Sequence, residues 1–110
     1  MSSSQSVTEP VYSSLGDDPD LGELVEMFVD EMPSKIELLQ TQFDACDWPS
    51  LQRTAHQLKG AGGSYGFDAL TPWAARLEDA AKQTASEAEI RRAIEELVAV
   101  CRLLRAGSPE

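Results

Sequence analysis

The spacing of apolar residues limits the fold of this chain more than any other feature of its sequence. From about residue 18 to residue 104, apolar residues recur three or four positions apart, which is the period of an amphipathic helix. The last such stripe consists of Ile90, Ile94, Leu97, Val98, Cys101 and Leu104. No segment alternates apolar and polar residues over a useful length, as a half-buried strand would. The pattern therefore predicts an all-α protein.

Capping residues and prolines divide this pattern into helices. The boundaries are marked, in chain order, by Asp18, Pro33, Asp47, Asp68 or Thr71, and Ser86. Asp18 stands before a proline that fits a first helical turn, Pro33 breaks or kinks the first helix, and Ser86 begins a capping box. Four substantial helices with short connections, preceded by a shorter one, predict an antiparallel up-down four-helix bundle with a short leading N-terminal helix.

The chain is long enough for one small domain with its own core. Residues 1–16 are rich in serine and without periodicity, so we expect a flexible or loosely docked N-terminal tail. Residues 17–106 should form the bundle, and residues 107–110 a polar end. The N-terminus lacks the pattern of a signal peptide, and no apolar run reaches the length of a membrane span. These features predict a cytoplasmic protein.

Charge and cysteine content narrow the classes of partner. Nine basic and 19 acidic residues give a formal net charge of −10, which argues against binding to nucleic acid or to an anionic membrane. A protein or small-molecule partner remains. Cys46 and Cys101 have no CxxC spacing, and two buried, reduced thiols on helices are expected rather than a disulfide or redox pair. With one histidine and no metal-binding motif, no metal site is expected.

The only histidine, His56, lies in the stretch AHQLKGAGGSYGF, which also holds four of the seven glycines. On a helical wheel, the seam that runs from Leu51 through Leu58 to Tyr65 faces the core, and His56 lies about 140° away from it. The imidazole is therefore predicted to face outward. Because the seam continues across the glycines, a helix is favoured over the alternative, a loop that begins near Lys59.

The neighbours of His56 on this wheel suggest what the histidine does. Lys59 and Gly60 are its i+3 and i+4 neighbours, and Gly63 lies on the same side of the helix. Bare backbone at the two glycines leaves room for a bulky group to approach the ring. The lysine supplies positive charge for an anion attached to it. The arrangement predicts an exposed, modifiable imidazole.

The stretch HQLKGAGGSYG resembles the HxLKGxxxxxG signature of histidine-containing phosphotransfer (HPt) domains. The resemblance extends over about residues 17–105, since ALTPWAARLEDAAK is similar to the family's next helix and DDPDLGELVEMFVDEMP is similar to its leading helix. It implies a helical phosphoryl carrier, without enzymatic activity of its own, in which His56 is the phospho-acceptor. It further implies that Lys59, Glu78 and Lys82 support the phosphoryl group, with Glu78 accepting a hydrogen bond from the ring Nδ1 so that Nε2 reacts.

The same resemblance implies the partners. These are a response-regulator receiver domain, a sensor histidine kinase, or both, and the carrier itself is expected to be a monomer. No cofactor is expected on this chain, because Mg²⁺ would be supplied by the receiver domain. Gln52, Gly60 and Gly63 are expected to contact the partner. Arg53 and Arg76 could also line the docking face.

Two other functions remain open at this point. The first is a helical adaptor with the same fold that is never phosphorylated and acts through protein binding alone. The second is a small enzyme that uses His56 as a general base, which would require a concave pocket with a cysteine or serine close to the ring.

Overall fold

The computed structural model describes residues 9–107, and in this range the protein is mostly helical, as predicted. The helices are α1 (Gly22–Asp30), α2 (Met32–Asp44), α3 (Trp48–Ser64), α4 (Thr71–Lys82) and α5 (Glu87–Cys101). Two short strands, β1 (Val11–Tyr12) and β2 (Leu104–Arg105), pair in parallel. The apolar periodicity predicted the five helices but neither strand.

The helices surround a single apolar core. Contacts join α2 to α3, α3 to α4, α4 to α5, and α5 back to α2, while α1 lies against α2 and β2. Each helix contributes at least one side chain with no exposed surface, namely Val25, Leu39, Leu51, Leu77 and Leu97. The most extensive of these contacts is between α3 and α4, which fixes the position of α4 beside the histidine of α3.

Side-chain caps begin two of the helices as the sequence predicted. Asp47 accepts a hydrogen bond from the backbone N–H of Ser50 at the start of α3, and Ser86 accepts one from Glu89 at the start of α5. Pro33 lies in the first turn of α2, where its missing N–H costs nothing, so it separates α1 from α2.

Two predicted helix starts were wrong in detail. Asp18 caps a separate turn, through hydrogen bonds from the N–H groups of Asp20 and Leu21, and α1 begins only at Gly22. Thr71 is the first residue of α4 and not its cap, because the N-cap position is taken by Leu70 without a side-chain hydrogen bond. The error at Asp18 arises because a capping residue can close a single turn as well as a helix.

The α3 helix continues through three of the four glycines, which excludes the loop alternative. It ends at Ser64, and two residues later Gly66 has a φ of +78°, which is in the left-handed region. There the N–H of Phe67 donates to the carbonyl of Gly62, and that of Gly66 donates to the carbonyl of Gly63. These are the two hydrogen bonds of a Schellman cap, and they turn the chain sharply towards α4.

The segment from Val11 to Gly16, predicted as part of a flexible or loosely docked tail, packs on the helices. The N–H of Val11 donates to the carbonyl of Leu103 at 2.7 Å, and the N–H of Ser14 donates to the carbonyl of Gly66 at 3.0 Å. Residues 1–8 and 108–110 of the predicted terminal segments lie outside the described residues.

Two further expectations differ from the structure near the ends of helices. Leu104, predicted on the stripe of the last helix, lies in β2 and is buried there, because α5 ends at Cys101. Cys46 is exposed rather than buried, because it lies in the turn between α2 and α3 with a positive φ of 54°. Cys101 is buried as expected, and both thiols are free.

Candidate functional site

The imidazole of His56 projects from the exposed face of α3, and 66% of its side chain is accessible to solvent. Leu51, Ala55 and Leu58 of the same helix are buried, so the helix presents His56 on the face opposite its core seam. A Cβ atom added at Gly60 or at Gly63 would meet no atom within 4 Å. The backbone after His56 is therefore open to an approaching molecule.

Glu78 of α4 contacts one of the two ring nitrogens of His56. Its Oε2 lies 2.8 Å from Nδ1 of His56. An ionised carboxylate can only accept a hydrogen bond, so the proton of this contact is on Nδ1. In the neutral ring, the lone pair is then on Nε2, which has no hydrogen-bond partner among residues 9–107. The geometry provides an exposed nitrogen nucleophile of defined tautomer.

Lys59 reaches the same carboxylate from the next turn of α3. Its Nζ lies 2.7 Å from Oε1 of Glu78, so the two oxygens of one carboxylate hold two different side chains of α3. The hydrogen bond from Lys59 is the main cause that lowers the pKa of Glu78, and the hydrogen bond with His56 lowers it further. Desolvation opposes both effects. Glu78 is therefore held in its ionised form beside the ring.

The position of Lys59 on the helix explains this pair. On the wheel of α3, Lys59 lies between the buried seam and His56, which is the side that packs on α4. The resemblance implied a role for Lys59 beside the phosphoryl group but not its ion pair with Glu78. The signal that could have revealed the pair was this intermediate wheel position, combined with a carboxylate on the facing helix.

A cleft of about 480 Å³ opens beside His56, between α3 and α4. It is lined by Pro49, Gln52, Arg53, His56 and Glu78. Of the residues predicted to contact a partner, Gln52 thus lies in the cleft, whereas Gly60 and Gly63 lie on the open backbone after the histidine. The exposed part of the site therefore consists of the cleft and the bare backbone at Gly60 and Gly63.

Two other basic residues of α4, Lys82 and Arg76, lie outside the contacts around His56. Lys82 is exposed in the last turn of α4 and forms no ion pair with any residue of the described range. Arg76 faces α5, where its Nη1 lies 3.4 Å from Oε1 of Glu96 and its guanidinium covers the ring of Trp73. The structure therefore brings together His56, Lys59 and Glu78, but neither of these two cations.

Residues 9–107 contain neither a metal-binding cluster nor a membrane-spanning helix. There, no three or more His, Cys, Asp and Glu side chains are grouped so that they could hold a metal ion. In the same range, no helix is both long enough and apolar enough to cross a membrane.

Comparison with known proteins adds one positive finding to this geometry. The family model described as the Hpt domain matches residues 23–107, which include all five helices except the first residue of α1. No curated protein and no solved structure matches the chain.

Proposed function

The chain belongs to the Hpt domain family, and from this membership we propose that it carries a phosphoryl group on His56 in a two-component phosphorelay. The group is exchanged with the aspartate of a response-regulator receiver domain. One observation carries the proposal: an exposed imidazole donates from Nδ1 to a carboxylate, at 2.8 Å, and so leaves Nε2 free. That is the tautomer a nitrogen nucleophile needs if its outer nitrogen is to react.

The proposed fold is the one on which such a carrier depends. Helices α2 to α5 form an antiparallel up-down four-helix bundle, and α1 is the short leading helix. The closed series of helix contacts, with α2 touching α5, supports this arrangement. It would hold α3 and α4 as a rigid pair and so fix the distance between His56 and Glu78.

The proposed transfer step involves one bond formed and one broken. The Nε2 lone pair of His56 attacks the phosphorus of an aspartyl phosphate on the receiver, and a P–N bond forms. The bond between phosphorus and the aspartyl oxygen breaks, and the carboxylate leaves with that electron pair. The Nδ1 proton stays in its hydrogen bond to Glu78, which stabilises positive charge that develops on the ring. The reverse step returns the group to an aspartate.

The supporting residues have distinct proposed roles. Lys59 keeps Glu78 ionised and in place, and Lys82 adds positive charge to the exposed end of α4. Gln52, Gly60 and Gly63 form the surface on which the partner docks. The chain is then a carrier and not an enzyme, since Mg²⁺ and most of the catalysis are supplied by the receiver domain.

The proposed partners indicate where this carrier works and in what oligomeric state. It works as a cytoplasmic monomer between receiver domains, or between a receiver domain and a sensor histidine kinase. The charge of −10 is compatible with protein partners and unsuited to nucleic acid.

Incubation with a phosphorylated receiver domain and Mg²⁺ tests the proposal. The expected product is phosphate on this chain that is labile in acid and stable in base, as a phosphoramidate bond is. The His56→Gln variant should accept none. Failure of the unsubstituted chain to accept phosphate from a panel of receivers and kinases would contradict the proposal. A partner effect that survives in His56→Gln would favour the adaptor function instead.

A further inference from the structure

The cleft beside His56 lies on the side of the ring that a carried phosphoryl group would occupy. Side chains on an α-helix lean towards its N-terminus, so the imidazole covers the preceding turn rather than the following one. The cleft agrees with this direction, because its other residues from α3 are Pro49, Gln52 and Arg53, all of which precede His56. A group on the ring would therefore lie near residues 49–53 and not over the glycines.

Lys59 is poorly placed to meet that group. Its ammonium is held 2.7 Å from Oε1 of Glu78, at the carboxylate that binds the Nδ1 edge of the ring. A phosphorus atom on Nε2 would lie at the opposite edge. Withdrawal of Lys59 would also leave Glu78, which is only 15% exposed, without one of its two hydrogen-bond donors.

Arg53 is the cation on the cleft side of the ring. It lies one turn before His56 as its i−3 neighbour, it lines the cleft, and it is exposed. It forms no ion pair with any residue from 9 to 107, so its guanidinium is not committed elsewhere. A guanidinium presents several N–H donors in a plane that matches the oxygens of a phosphoryl group.

We propose that Arg53 binds the phosphoryl group carried on Nε2 of His56, while Lys59 acts as a positioning residue through Glu78. This inference rests on the proposed function and assigns its anion contact to a different cation from the one the family resemblance implied. Arg53 makes and breaks no covalent bond. It donates hydrogen bonds to the phosphoryl oxygens and offsets their negative charge, and so it favours the doubly ionised form of the group.

The test uses phosphoramidate as the phosphoryl donor, so that no protein partner is needed. The Nε2 lone pair forms a P–N bond, the P–N bond of phosphoramidate breaks, and its nitrogen leaves as ammonia. Because His56 is the only histidine, one ³¹P signal reports the site. Its chemical shift is followed against pH to obtain the second pKa of the phosphoryl group. The variants are Arg53→Gln, Arg53→Lys and Lys59→Gln, with Arg92→Gln on α5 as the matched control.

Arg53→Gln is expected to raise the second pKa of the phosphoryl group by about 0.5 to 1 unit, a modest shift because the site is exposed to solvent. Arg53→Lys should retain most of the original value, and Arg92→Gln all of it. Lys59→Gln should shift this pKa less than Arg53→Gln does.

Equal phosphoryl pKa values in Arg53→Gln and the unsubstituted chain would overturn the assignment, as would a larger effect of Lys59→Gln. If the chain forms the phosphorylated species but exchanges it with no receiver, the proposed function fails and the anion contact of Arg53 is still measured. If no phosphohistidine forms even with phosphoramidate, both proposals fail.

Discussion

At the scale of single residues, the proton on Nδ1 of His56 depends on one carboxylate. We predict that Glu78→Ala shifts the neutral ring towards the tautomer with its proton on Nε2, because no acceptor then remains for the Nδ1 proton. Glu78→Gln should keep much of the original tautomer, since its amide oxygen can still accept. The ¹⁵N chemical shifts of the ring nitrogens measure the two populations.

The matched control for this measurement is Asp79→Ala. It removes the neighbouring carboxylate of α4, which forms no ion pair in the described range. It should leave the ring spectrum unchanged. A Glu78→Ala spectrum identical to that of the unsubstituted chain would mean that the 2.8 Å contact does not select the tautomer.

The second residue-scale prediction concerns acid. The hydrogen bond from Lys59 is the main cause of the lowered pKa of Glu78, so Lys59→Gln should raise that pKa towards its usual value. A carboxyl with a lowered pKa in the folded state stabilises the fold above its unfolded pKa, and this contribution is lost as the pH falls through the folded pKa. In Lys59→Gln, the contribution of Glu78 to stability should therefore be smaller, and it should be lost completely at a higher pH than in the unsubstituted chain. His56 should likewise lose its ionised partner at a higher pH.

The side-chain carboxyl signal of Glu78 in a ¹³C pH titration gives this pKa directly. Lys82→Gln is the control, because it removes the same charge one turn further along α4 without removing a contact to Glu78. Equal effects of the two substitutions would show that net charge, and not the 2.7 Å contact, sets the pKa.

At the scale of elements, the glycines of α3 have different physical roles. A Cβ atom at Gly62 would lie 3.2 Å from the carbonyl oxygen of Phe67 and 3.3 Å from Cβ of Leu70, so this glycine lets the start of α4 approach closely. At Gly60 and Gly63 the space is open. Of the three glycines within α3, only Gly62 is required by packing, while Gly60 and Gly63 leave the surface beside His56 bare.

Alanine substitutions should separate these roles. Gly60→Ala and Gly63→Ala are each expected to raise the free energy of unfolding, by up to about 1 kcal/mol, because alanine favours the helix. Gly62→Ala should be less stable than either, by about 1–3 kcal/mol, because the added methyl group overpacks the contact with α4. Denaturant unfolding measures all three. Equal stabilities would contradict the assigned packing role of Gly62.

The helices and strands also show how much of the fold could be predicted from the sequence alone. The outward direction of His56 and the full length of α3 followed from one continuous seam, since Tyr65 keeps its register across the glycines. The pair of β1 and β2 did not follow, because two-residue strands are too short to show a period of two. Their pairing joins Val11 to Leu104, and no local pattern encodes a contact of such long range.

The ion pair of Lys59 with Glu78 illustrates the same limit within the site. Each residue could be placed on its own helix from periodicity. Their contact depends on how closely α3 and α4 pack and on the relative rotation of the two helices, and the small size of Gly62 permits the close approach. Single-helix periodicity thus predicts which residues are exposed, whereas the pairing of charges requires the packed structure.

At the scale of the whole molecule, the two thiols differ in when they can react: Cys46 in the folded protein, and Cys101 only after the protein opens. Cys46 lies exposed in a turn, whereas Cys101 is only 2% exposed, and its burial raises its pKa to about 12. The thiolate is the reactive form, so Cys101 should be inert in the folded protein. We predict that a thiol reagent at pH 8 modifies one cysteine quickly and the second only when the protein opens.

The slow phase then measures the global opening of the core, because Cys101 becomes accessible only when α5 separates from its neighbours. It should disappear in Cys101→Ser and remain in Cys46→Ser, and it should slow further in the stabilised Gly60→Ala variant. A disulfide reagent that releases a coloured thiol allows the fast and the slow phase to be followed by absorbance. Two fast reactions in the unsubstituted chain would mean that the end of α5 opens locally, without unfolding of the remaining helices.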